Sequence, residues 1–186
     1  MTIEPNSAEW WERLCRRYAE KGDDRDRPFE HRQISERSLD SVLDVGCCFG
    51  ALTQYLSGGV GYLGIDISAF AVTEARRRYP DSVFLCGDII SMTPLLRHCC
   101  DTLVAGQFIE HYDDPIKTVR LLARLPRRRL IITVPRGEVE NHQRENDGHR
   151  YGWVDEDAVR KDFGEVEFFD GASHHICWVQ DIERRE

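Results

Sequence analysis

Apolar positions along this chain fall into short runs that alternate with stretches of helical period. Val42, Leu43 and Val45 form one such run, Gly46 and Gly50 bracket a tight turn, and Ala51, Leu52, Tyr55 and Leu56 then recur at helical spacing. That is the signature of a buried strand, a glycine turn and a helix. Upstream, Trp10, Trp11, Leu14, Cys15 and Tyr18 share one face of a helix running to about Lys21. Asn6 with Glu9 three residues on reads as its capping box. Residues 22–28 are a charged link, and Pro28 suits the first turn of a second helix to about Arg37. Downstream, Gly61–Ile65 reads as a strand ending at Asp66, and Ser68 can cap a helix through Tyr79, stopped by Pro80 and Asp81. Ser82–Cys86, Cys100–Ala105 and Leu130–Val134 read as further strands, with a helix over Pro115–Leu125. Val154–Phe163 has a helical pattern, and Glu165–Asp170 and His174–Gln180 alternate as a closing strand pair. Strands alternating with helices predict a doubly wound α/β domain.

Composition narrows the partners. The chain has 186 residues, the length of one domain, and a net charge of -8. An acidic balance argues against extended nucleic-acid binding, which needs a positive face. The triplets Arg76–Arg78 and Arg127–Arg129 read as solvated helix and loop ends. No apolar run approaches the roughly 20 residues that span a bilayer, and the N-terminus lacks a basic segment followed by an apolar one. Seven cysteines, an odd number mostly in apolar runs, suit buried thiols in a reducing compartment. A cytoplasmic protein with no membrane contact is expected, of unspecified oligomeric state.

The turn after the first strand decides between ligands. A dinucleotide site uses G-x-G-x-x-G/A, whose second glycine lets the backbone approach a pyrophosphate. Here the positions are Gly46, Cys48 and Ala51. The line Asp44-x-Gly46-x-Cys48-x-Gly50 instead resembles motif I of the class I S-adenosylmethionine (SAM)-dependent methyltransferases, with Cys48 in place of the middle glycine. Asp66 lies 20 residues beyond Gly46, where a carboxylate can accept hydrogen bonds from both ribose hydroxyls. Asp88 follows the third strand. Gln107-Phe108-Ile109-Glu110-His111, with Asp114-Pro115 after it, closely resembles the segment that leaves the fourth strand in that family.

The resemblance, strongest to small single-domain members of methyltransferase types 11 and 23, implies a Rossmann-like fold. Its sheet would have seven mostly parallel strands, helices on both faces and a C-terminal antiparallel pair. It implies SAM as cofactor and S-adenosylhomocysteine as product. Asp44, Gly46, Cys47 and Gly50 would lie at the amino-acid end of SAM, and Asp66 at the ribose. Asp88 would take the adenine amino group, with Ile67 and Ile89 sandwiching the ring. Gln107 would form the floor beneath the sulfonium. Residues 1–38 would be a helical cover, with Tyr18 closing over the cofactor.

The acceptor side is less explicit. Residues 136–153 are polar and aperiodic and carry His142, His149, Tyr151 and Trp153. A loop of that length is commonly functional, and here it would lie on the substrate side. His111 and His149 are the candidate general bases for an acceptor hydroxyl or ammonium, with Glu110 orienting the segment. His174 and His175 are expected to point to opposite sides of a strand, one packed and one solvated. His98-Cys99-Cys100 cannot easily converge on one ion, and no metal is assigned. The reading is methyl transfer to an O or N atom of a small molecule. An alternative is metal-assisted 2′-O-methylation of RNA 3′ ends. Those enzymes carry E-x-x-E-H and a later histidine as ligands, matched here by Gln107, Glu110, His111 and His149 with one carboxylate replaced by an amide. A SAM-binding protein without activity is the third reading.

Overall fold

The computed structural model describes residues 4–137, 148–153, 155–171 and 174–182. Helices α1 (Ala8–Glu20) and α2 (Pro28–Arg37) precede β1 (Ser41–Val45), β2 (Gly61–Asp66), α3 (Ala69–Arg78) and β3 (Val83–Cys86). Then come α4 (Ile89–Met92), β4 (Cys100–Gly106), α5 (Pro115–Leu122), β5 (Pro126–Pro135), α6 (Glu156–Phe163), β6 (Glu167–Phe169) and β7 (His175–Asp181). The seven strands lie in the order β3-β2-β1-β4-β5-β7-β6, with β7 antiparallel to both neighbours and the other pairings parallel.

Burial explains the two-sided layering. Leu43, Val45, Leu103, Leu130 and Ile132 pack with Val119, Leu122 and Val159 in one large core. The opposite face packs Val42, Val104 and Ile131 against Ile34, and Phe84 against Val72 and Ala75 of α3. Central strands covered on both sides carry near-continuous apolar runs. α1 is fastened to the start of α3: Glu12 Oε2 accepts from Ser68 Oγ at 2.8 Å and Phe70 N at 3.0 Å. The order reverses between β1 and β4, so a crevice opens at their carboxyl ends, where doubly wound sheets bind ligands.

Several expected boundaries move. The helix expected after Gly50 is a single 3₁₀ turn, Ala51–Tyr55, because the Gly58-Gly59 turn leaves no length to extend it. Its end is capped by Ser35 Oγ donating to Tyr55 O at 2.7 Å. Asn6 is not the cap of α1; Ser7 is, accepting from Trp10 N at 3.2 Å. β5 begins four residues before Leu130, because it pairs with β4 from Pro126 and with β7 from Arg129. The Arg129 guanidinium bonds Asp181 at 2.7 Å instead of ending a loop. Trp153, expected on the substrate-side loop, is a core residue stacked near Trp178 and Phe163. His142 and most of the 136–153 loop lie outside the described residues. Cys86 and Cys99 are exposed, against the expectation of buried thiols. Among the described residues no helix is long and apolar enough to cross a membrane.

Candidate functional site

A cleft of about 1430 Å³ opens over the β1–β4 reversal and runs beneath the N-terminal segment. That exceeds the roughly 300–1,000 Å³ of a usual single-ligand pocket, leaving room for two molecules. Every sequence-predicted site residue except Gly50 lines it: Tyr18, Asp44, Gly46, Cys47, Asp66, Ile67, Asp88, Ile89, Gln107, His111 and His149.

The glycine turn is built for approach, not for anion capture. Gly46 takes φ +72°, and a Cβ there would meet Phe108 Cδ2 at 2.5 Å. Cys48, in the place of the middle glycine, takes φ +47°, a left-handed conformation costly for a residue with a Cβ. The N–H groups are spent inside the protein. Gly46 N and Cys47 N both reach Ile65 O, at 2.8 and 3.2 Å, and Gly50 N reaches Cys47 O. Cys48 N donates to Asp66 Oδ2 at 2.9 Å. No free backbone donor is therefore left at these four residues, which suits a ligand without phosphates. The Cys47 side chain turns into the core beside Val72, Ala75 and Phe84, and Gly50 packs against Phe84. Neither offers the cleft a polar group of its own side chain.

The three acidic strand ends differ in what they have left to give. Asp66 Oδ1 accepts from Ser68 N at 2.8 Å and Oδ2 from Cys48 N. A carboxylate has about four acceptor positions, so two remain for hydroxyls of a bound sugar. Burial raises its pKa above the usual range, the backbone donors of Ser68, Cys48 and Ile67 partly opposing this. Asp44 is buried, with Oδ2 accepting from Tyr62 OH at 2.7 Å. Burial, helped by the nearby Asp66 charge, pushes its pKa up to about 7. Asp88 caps α4, accepting from Ile90 N, Ser91 N and Ser91 Oγ. One acceptor position on Oδ1 is left for a ligand donor. Ile67 and Ile89 flank that stretch of the cleft. Tyr18 sits in the wall with the Arg25 guanidinium stacked 4.3 Å from its ring centroid.

Beyond β4, Gln107 holds a left-handed φ of +54°, its Nε2 donating to Thr133 Oγ1 at 3.2 Å. His111 is enclosed by the edge of Trp11, with ring centroids 4.7 Å apart, and by His149 at 4.9 Å. Burial first, then the neighbouring His149, pushes the His111 pKa down to about 3. An imidazole enclosed in this way is harder to protonate than a solvated one. Ligand atoms of Glu110, His111 and His149 lie within 4.8 Å of one another, close enough for one metal ion. Neutral imidazole is the ligating form, so the geometry brings together three of the four residues that the alternative reading of the sequence named as metal ligands.

Two features were missed in the sequence. Asn6 Nδ2 donates to His111 O and Gly148 O, each at 2.9 Å, joining the N-terminal segment, the post-β4 segment and the later loop. Arg150 extends that clamp, its N–H reaching Glu110 O at 2.7 Å and its guanidinium bonding Asp113 and Pro5 O. His174 and His175 are, as expected, one exposed and one packed, but the two rings also meet. Their rings are 4.3 Å apart and both line the cleft, because His174 lies just before β7 begins. Single-sequence spacing carries no signal for either arrangement.

Residues 43–131 match the methyltransferase domain family, and no curated protein matches the chain. Solved structures share the fold. The chain in complex with the Haloferax volcanii Trm112 methyltransferase activator is similar at 16% identity, over 96% of this chain and 98% of that one, with a TM-score of 0.74. Magnesium protoporphyrin IX methyltransferase from Synechocystis, with bound S-adenosylhomocysteine, is 18% identical over 98% and 90%, with a TM-score of 0.60. The [4+2]-cyclase SpnF is 22% identical over 81% of this chain and 60% of that one, at a TM-score of 0.60.

Proposed function

We propose, from the premise that this chain belongs to the class I SAM-dependent methyltransferases, that it methylates an O or N atom of a small-molecule acceptor. The observation supporting this is the roofed cleft. It is long enough for a cofactor and a second small molecule, and Asn6 and Arg150 fasten its cover across the acceptor end. The residues present fit SAM. Asp66 keeps two acceptor positions for the ribose, Ile67 and Ile89 can flank the adenine, and Asp88 can accept from its amino group. The Gly46 turn admits the amino-acid end by close approach, while Tyr18 and Gln107 bound the middle of the cleft. Bound SAM supplies a methyl group already activated by a sulfonium centre. The chain's own work is to orient the acceptor, exclude water and remove a proton where the acceptor carries one.

Metal-assisted methylation of an RNA 3′ end is the second reading, favoured by the Glu110, His111 and His149 cluster. A chelator separates the two. Methyl transfer to small acceptors should be indifferent to EDTA. Transfer to an RNA terminus that requires added Mn²⁺ or Mg²⁺ would overturn the preferred acceptor class.

A protein partner belongs to the same reading. β3 is an edge strand, and its Val83 and Leu85 are 57% and 38% exposed. They face the side on which α4 packs, where Leu95 is 84% exposed. An open edge beside apolar side chains suits strand addition by another chain. The occupant we assign is a Trm112-type activator, the kind of protein with which the Haloferax neighbour forms a complex. Mixing this chain with Trm112 should give a heterodimer in size-exclusion chromatography that Leu85→Lys abolishes. A self-dimer abolished by the same change would give the edge to a second copy instead.

A further inference from the structure

Beneath the cleft lies a buried polar chain whose Glu30 and His175 the functional reading does not use. Glu30, 1% exposed in the first turn of α2, sits under the cleft. Its Oε1 accepts from Thr133 Oγ1 at 2.9 Å, and its Oε2 pairs with His175 Nδ1. Thr133 Oγ1 in turn accepts from Gln107 Nε2. Glu30 is therefore acceptor to donors from β5 and β7, and the series runs His175, Glu30, Thr133, Gln107. Arg27 Nη1 lies 4.0 Å from Glu30 Oε1. Burial alone would raise the Glu30 pKa, but the hydrogen bonds from His175 and Thr133 and the Arg27 charge outweigh it and hold the carboxyl below its usual range. An ionised carboxylate is acceptor-only, so it fixes the proton of His175 on Nδ1. That leaves the Nε2 lone pair of a cleft-lining imidazole available as base.

His111 lacks this arrangement, its nearest paired carboxylate oxygen, Glu110 Oε1, being 3.9 Å from Nε2, beyond hydrogen-bonding range. Apolar side chains of Phe29, Ile34 and Pro135 line the cleft alongside His175. A carboxylate that orients an imidazole facing a ligand is the arrangement of general-base sites.

Resting on the methyltransferase reading, we propose that His175, oriented by Glu30, is the general base for a phenolic hydroxyl acceptor seated against Phe29 and Pro135. A phenol, whose proton leaves near pH 10, is within reach of an imidazole base; an aliphatic alcohol is far less so. As the phenol oxygen bonds to the methyl carbon, the carbon–sulfur bond breaks with its electron pair going to sulfur. The phenol proton passes to His175 Nε2, and the imidazolium, paired with Glu30, then releases it to water. The charged and titratable groups facing this pair are Arg27 beside α2, Cys177 on β7 with its Sγ 4.0 Å from Glu30 Oε2, and His174. Asp170 and Arg37 act on Cys177 from farther out.

The test uses the full chain with SAM and a panel of phenols. His175→Asn should lower kcat by roughly 10²–10⁴-fold while SAM affinity by calorimetry stays within about twofold. Glu30→Gln keeps the shape of the site but removes the charge that favours a protonated imidazole. Its acid limb of kcat should therefore move to lower pH. Histidine NMR titration of the free protein, with the resonance assigned by its loss in His175→Asn, should show the same displacement without any turnover. If His175→Asn fails to fold, the acid limb of kcat in Glu30→Gln stands alone, and a limb that this change leaves in place overturns the proposal. A kcat within threefold of wild type in a folded His175→Asn overturns the proposal, as does a His175 titration that Glu30→Gln leaves in place. Absence of SAM binding in the wild type would instead sink the methyltransferase reading, so the two failures are distinguishable.

Discussion

Replacing Gly46 by alanine separates two physical effects that the structure places at one residue. The backbone there has φ +72°, and the new Cβ would lie 2.5 Å from Phe108 Cδ2, about 0.9 Å short of the 3.4 Å at which contact is ordinary. The left-handed conformation costs an alanine roughly 1–2 kcal/mol relative to glycine. Displacing a packed ring costs typically about 1–3 kcal/mol more. Gly22 supplies the control, with φ +69° and nothing within 4 Å of its Cβ position, so Gly22→Ala incurs the conformational cost alone. For a chain of this size each kcal/mol lowers the Tm by about 2–4 °C. Thermal unfolding should then show a drop of roughly 2–8 °C for Gly22→Ala and roughly 4–20 °C for Gly46→Ala, the latter always the larger. SAM affinity should fall only in Gly46→Ala, because Phe108 forms part of the cleft wall. Equal losses in the two variants would refute the claim that the turn is closed by Phe108.

Asn6→Ala removes two hydrogen bonds that join three segments, and denaturant unfolding should show a loss of about 1–3 kcal/mol. Asn6→Asp should not restore it, since a carboxylate cannot donate to the carbonyls of His111 and Gly148. Asp44 predicts a pH slope: its folded pKa, raised to about 7, exceeds the usual carboxylate value. The folded state then binds more protons than the unfolded one between about pH 4 and 7. Stability should therefore fall as pH rises through that window, and Asp44→Asn, which keeps an acceptor for Tyr62, should flatten the slope. A slope unchanged in Asp44→Asn would contradict the burial argument. Cys48→Gly should relieve the left-handed strain at φ +47° and leave chemical stability equal or up to about 1 kcal/mol higher; a clear loss would show the Cys48 thiol to be a packing element.

What could be read in the sequence was what rests on local periodicity. The strands that end at Asp66 and Cys86 and the glycines of the β1 turn follow from short-range pattern, and all fall within a residue or two of expectation. The seven-stranded sheet with its antiparallel end was implied by the family resemblance rather than by local alternation, and the strand order is seen only in the fold. Features built from distant partners were not legible. Glu30 meets Thr133 across 103 residues and His175 across 145, and nothing in a helix's first turn announces such partners. Asn6 satisfies the spacing of a cap, yet Ser7 beside it takes that role and frees Asn6 for His111 and Gly148. Spacing could suggest His111 as a base but not its enclosure by Trp11 and His149, which lowers its basicity.

The measurement that bears most directly on the account is calorimetric titration of SAM into the wild type and into Asp66→Asn, with circular dichroism to verify the fold. Asp66 Oδ1 and Oδ2 each hold one backbone donor and keep one acceptor position facing the cleft. An amide preserves the side chain's size but replaces one acceptor oxygen with a donor and removes the charge. Hydrogen bonds to a charged acceptor are worth about 1.5–3 kcal/mol each, so SAM affinity should fall at least tenfold while the fold is retained. Wild-type protein that does not bind SAM, or an Asp66→Asn variant that binds it as tightly as the wild type, would contradict the account.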